Sequence, residues 1–70
     1  MISLLALSPM KINTLVIDDD ANWRKIISKF VKMNPVLELV GAYESAMEGY
    51  AVMAENEIDL LICDIEMPDL

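Results

Sequence analysis

Two places in the chain carry residues that could do chemistry together. The first is "DDD", Asp18 to Asp20, directly after the apolar run "INTLVI". The second is Asp64, which follows "LLIC" and precedes "IEMPDL". Either alone is commonly a polar turn, since acids are favoured at a helix N-terminus. Acids at the tips of two separate apolar strands are harder to explain that way. Carboxylates gathered in one small pocket repel one another, and without compensation one of them takes up a proton. A divalent cation removes that conflict. Mg²⁺ prefers hard oxygen ligands and is typically held by one or two carboxylates plus waters and phosphate oxygens. An aspartate beside such an ion can serve as a nucleophile towards phosphorus and form an aspartyl-phosphate.

The elements around these acids must bring them together. Ile12 to Ile17 is β-branched and apolar, as expected of a buried parallel strand. The period then becomes helical. Trp23, Ile26, Ile27, Phe30 and Val31 are expected to face a core, with Arg24, Lys25, Ser28, Lys29 and Lys32 in solvent. Asp20 or Asn22 caps this helix, and Asn34-Pro35 ends it. Val36 to Tyr43 reads as a second strand. Ser45 and Glu48 form a capping box that opens a second helix, with Met47, Tyr50, Ala51 and Ala54 as its apolar stripe. Gly49 lowers that helix's propensity. Ile58 to Cys63 is the third strand. Alternation β-α-β-α-β predicts an α/β fold with a parallel sheet and right-handed crossovers. Ligands in such sheets sit beyond the carboxyl ends of the strands. With the first strand between the other two (order 2-1-3), Asp18, Asp19 and Asp64 converge.

Composition narrows the class. Seventy residues allow one small domain. Apolar content is 56%, above the roughly 45–50% of an ordinary globular chain, so some apolar surface is expected to be covered by a partner or by more of a domain. The net charge is −7. All five basic residues lie at or before Lys32, and nine acids follow it. That balance argues against nucleic-acid binding by this segment. There is no histidine, and Cys63 is the single cysteine, which excludes imidazole-held metals and an internal disulfide framework. Cys63 is expected to be a small buried hydrophobe in a reducing, cytoplasmic setting. Residues 1–9, "MISLLALSP", are too short for a signal peptide or a membrane span and are expected to be an N-terminal extension, with Met10 a second plausible start.

"LVIDDDANWRKII" followed by "IDLLICDIEMPDL" resembles the receiver domain of bacterial two-component response regulators, over residues 10–70. The resemblance implies a flavodoxin-like, doubly wound parallel sheet. It implies that Asp64 accepts a phosphoryl group from a sensor histidine kinase. Asp19 would ligate Mg²⁺ directly together with Asp64, Asp18 would act mainly through a metal-bound water, and Glu66 would offer its backbone carbonyl. The wording "DIEMP" is also similar to regulators with a LytTR-type DNA-binding output. A full receiver has five strands and five helices, and these 70 residues supply three and two. The Ser/Thr and the Lys that the family places on its fourth and fifth strands have no counterpart here. The expectation is therefore a partial receiver over 10–70, not an enzyme, with its third strand exposed as an edge that self-associates. The alternatives are an inert or interaction-only fragment and, less favoured, a phosphatase with an aspartate nucleophile.

Overall fold

The structure, a computed structural model, describes residues 11–64 and 66. The expected extension at 1–9, the alternative start at Met10, and Met67 and Pro68 lie outside the described residues. The order is β1 (Ile12–Ile17), α1 (Ala21–Met33), β2 (Leu37–Tyr43), α2 (Ala46–Glu55) and β3 (Leu60–Cys63). The three strands form one parallel sheet in the order β2-β1-β3, the arrangement expected from the sequence. Register sets the site. Ile17 is paired with Tyr43 on one side and Cys63 on the other, so β1 and β3 end level. The next residues of those two strands are Asp18 and Asp64.

β1 is the centre of the molecule. Leu15, Val16 and Ile17 have no exposure, and neither does Thr14. Thr14 Oγ1 donates to the Ile12 carbonyl at 3.0 Å, which satisfies the buried hydroxyl. Alternation along the strand sends Leu15 and Ile17 to one face, where they cluster with Ala46, Val52 and Ile58. Thr14 and Val16 face the other side, which α1 covers. Asp20 caps α1 through Oδ1, which accepts from the N–H groups of Asn22 and Trp23 at 2.9 and 3.1 Å. Ser45 Oγ accepts from Glu48 N–H and donates to Glu48 Oε1, both at 3.2 Å. Both caps match the sequence reading.

The helix faces do not. In α1 the inward stripe is Arg24, Ile27, Ser28 and Val31, spaced i, i+3, i+4, i+7. Trp23, Ile26 and Phe30, expected in the core, are 57%, 43% and 67% exposed. Among the described residues α1 packs on β1 and β2, and two strands are too narrow to cover so wide an apolar arc. Ser28, expected in solvent, has its Oγ buried and finds no hydrogen-bond partner among the described residues. In α2 the buried residues are Ala46 and Gly49. Met47 and Tyr50 are largely exposed, and so are Ala51 and Ala54. The small residues win because α2 lies very close to the sheet. A Cβ at position 49 would overlap Ile17 Cδ1 and stand 2.8 Å from Ile17 Cγ1.

β3 is shorter than the expected Ile58–Cys63. Asn13 and Asp59 replace ladder pairing below it: Asp59 N–H donates to the Asn13 carbonyl, and Asp59 Oδ2 accepts from Asn13 N–H. Asn13 Nδ2 also donates to the Glu57 carbonyl at 2.9 Å. This clamp fixes where β3 starts, and with it the level at which Asp64 emerges.

Candidate metal centre

The sheet ladder continues one step past both strand tips. Asp18 N–H donates to the Tyr43 carbonyl at 3.0 Å, and Asp64 N–H donates to the Ile17 carbonyl at 3.1 Å. Each acid then turns the chain in the same way. Asp18 Oδ1 accepts from Asp20 N–H, and Asp64 Oδ1 accepts from Glu66 N–H, both at 2.9 Å. These are Asx turns, in which a short carboxylate side chain satisfies the backbone two residues on. One oxygen of each aspartate is tied down, so each carboxylate is held in orientation, and among the described residues its second oxygen accepts no such bond.

The result is a cluster. Asp18, Asp19 and Asp64 each offer a carboxylate oxygen, and these three atoms lie within 4.8 Å of one another. Asp18 is 7% exposed, Asp64 is half-buried and Asp19 is exposed. The three acids expected to converge, Asp18, Asp19 and Asp64, therefore meet. Glu66 lies beside them, exposed, and contributes its amide to Asp64. Asp20, the third acid of the run, is the helix cap and is not in the cluster. Trp23, Ile27 and Ile62 wall the pocket that contains Asp18 and Asp64, and Cys63 lines it too, half-buried.

The donor set suits a hard divalent cation. With Mg–O distances of about 2.1 Å, octahedral ligands stand about 3.0 Å apart when adjacent and about 4.2 Å apart when opposite. Oxygens within 4.8 Å reach that spacing with a small inward movement. Among the described residues no cation is ion-paired to any of the three acids; the ion pair there joins Lys11 and Glu38 at 3.7 Å.

One contact was not legible in the sequence. Arg24, expected on the solvated face, is half-buried, and its Nη1 donates to the Asp18 carbonyl at 2.8 Å. Its spacing from Ile27, Ser28 and Val31 was the available signal, but a charged residue is ordinarily assigned to the outer face.

Comparison with known proteins finds relatives over most of the chain. Protein-glutamate methylesterase/protein-glutamine glutaminase of Agrobacterium fabrum is 39% identical over 56 residues, which is 80% of this chain and 16% of that protein. The protein of the same name from Geobacillus kaustophilus is 39% identical over 57 residues, 81% of this chain and 16% of its own length. Enzyme 2 of that name from Vibrio vulnificus is 33% identical over 60 residues, 86% of this chain and 17% of its own. The chain spans about a sixth of the length of the curated relatives it matches. No solved structure matches it significantly. The response regulator receiver domain profile matches residues 14–70, a stretch that holds all three clustered acids and all but the first two residues of the strands that align them. The chain belongs to the response regulator receiver domain family.

Proposed function

We propose that Asp64 is a phosphoacceptor in two-component signalling, working with Mg²⁺ bound by Asp19 and Asp64. Asp18 would act mainly through a water on that ion, and the Glu66 backbone carbonyl would complete the protein's contribution. The observation that supports this most is the meeting of three carboxylate oxygens at two level strand tips. A bound Mg²⁺ would offset the negative charge of the acids and of the incoming phosphoryl group. Asp64 is the acid best suited to attack. Its Oδ1 is fixed by Glu66 N–H, and it stands at the half-buried rim of the pocket. The donor is a phosphohistidine of a sensor kinase. The phosphorus–nitrogen bond breaks as a phosphorus–oxygen bond forms on Asp64, and the donor imidazole leaves and takes up a proton.

Within these 70 residues no lysine follows Lys32, so phosphorylation of this polypeptide is expected to be slow and partial. Intact-mass spectrometry after incubation with acetyl phosphate and Mg²⁺ tests the reading. A gain of one phosphoryl group, absent in Asp64→Asn, is the expected result. No gain in the parent protein would favour the inert or interaction-only alternative. For the output such a module would govern, the "DIEMP" wording points to a LytTR-type domain and the named relatives to a methylesterase. Neither is read from these residues.

The 70-residue chain is also proposed to self-associate through β3. Leu60 and Leu61 are 38% and 39% exposed, and among the described residues β3 is paired with β1 alone. A strand with one unpaired, apolar edge is a template for a second chain. Sedimentation at micromolar concentration is expected to show species heavier than a monomer. A single monomeric boundary would overturn this. No helix among the described residues is long and apolar enough to cross a membrane, and a cytoplasmic setting is proposed on the kinase reading.

A further inference from the structure

Arg24 binds the turn of the acidic site through its side chain: the guanidinium donates to the Asp18 carbonyl at 2.8 Å, while the backbone N–H makes the first ordinary helical bond, to the Asp20 carbonyl. Two further polar groups of Asp18 are used as well: N–H on the Tyr43 carbonyl, Oδ1 on Asp20 N–H. The turn 18–20 is therefore pinned from β2, from within, and from the first turn of α1. The placement of the guanidinium is telling. It bonds a member of the cluster of three acids, yet at the backbone carbonyl and not at the carboxylate. A cation that paired with Asp18 or Asp19 would compete with a metal. One that bonds the Asp18 carbonyl holds the same loop and leaves the ligand oxygens free.

We propose that Arg24 is a positioning residue: it locks the β1–α1 turn so that Asp18 and Asp19 present their carboxylates towards Asp64. This rests on the metal-centre reading above. Charge and position predict opposite effects here. If Arg24 acted only by its charge, removing it would tighten cation binding. As a lock, removing it weakens binding.

Two variants and two readouts decide. Arg24→Met keeps the aliphatic stem that packs inward, and Arg24→Lys keeps the charge without the planar fork. Mn²⁺ titration, followed by Trp23 fluorescence, is expected to show about tenfold weaker binding in Arg24→Met, in line with one charge-assisted hydrogen bond. Arg24→Lys is expected to fall between it and the parent. Without metal, the Asp20 amide is expected to exchange its hydrogen faster in Arg24→Met, while the Val16 and Ile17 amides keep the parent rates. Unchanged or tighter Mn²⁺ binding overturns the proposal, and so does an unchanged Asp20 amide. If the parent itself binds no Mn²⁺, the metal-centre reading fails, and the exchange rates still decide for or against the lock.

Discussion

In chelator, Asp19→Asn is expected to melt above the parent protein; in Mg²⁺ at about a hundred times its dissociation constant, the order is expected to reverse. The first half follows from repulsion. Two unit charges 4.8 Å apart, the outer limit of the cluster, repel by about 0.9 kcal/mol in bulk water and about 3.5 kcal/mol at an effective dielectric of 20. Asp19 is exposed, so the lower figure governs, and relief is about 1 kcal/mol, or about 4–8 °C in Tm for a domain of this size. The second half follows from linkage. A ligand at a hundred times its dissociation constant stabilises the folded state by about 2.7 kcal/mol. The parent gains that increment and the variant loses most of it, since one anionic ligand is gone. Asp20→Ala is the control. It removes the α1 cap, costs about 1 kcal/mol, and should do so equally with and without Mg²⁺. If Asp19→Asn tracks the parent under both conditions, the three acids are a solvated turn and the site assignment falls.

That the acids would meet was legible because it depends on topology. Apolar, β-branched runs ending in acids mark strand tips, and alternation with helices makes the strands parallel. Parallel strands in the order β2-β1-β3 then bring Asp18 and Asp64 to one end. What the sequence could not show was how each helix is rotated. α1 carries apolar residues at 23, 26, 27, 30, 31 and 33, an arc wider than two strands can cover. Which part of that arc is buried depends on where the helix lands. It lands with Ile27 and Val31 inward, which draws Arg24 and Ser28 under the helix and leaves Phe30 and Met33 in solvent. α2 is apolar almost all round, so periodicity hardly distinguishes its faces. Closeness of approach selects Ala46 and Gly49 over Met47 and Tyr50. Both outcomes are set by volumes and distances between elements, which no local pattern encodes. Arg24 was missed for the same reason.

The second large effect turns on that closeness. By helix propensity, Gly49→Ala should stabilise α2 by about 1 kcal/mol. We expect the reverse. The added methyl would overlap Ile17 Cδ1 and crowd Cγ1 at 2.8 Å. Ile17 has no exposure, so its side chain can turn away from the methyl only by displacing the close-packed neighbours around it. Overpacking of this kind costs typically about 1–3 kcal/mol, enough to cancel the propensity gain and leave a net loss. Ile17→Val deletes Cδ1 and alone costs about 0.5–1.5 kcal/mol. Combined with Gly49→Ala it should cost less than the two losses added, because the space one removes is the space the other fills. The damage should also reach the acids. Ile17 directly precedes Asp18, and its carbonyl receives Asp64 N–H, so pushing it away from α2 shifts both strand tips together. Gly49→Ala is thus expected to lower both Tm and Mn²⁺ affinity, with Ile17→Val restoring part of each. A Gly49→Ala protein more stable than the parent would mean that α2 stands off the sheet, and that the small residues on its inner face do not set the floor of the site.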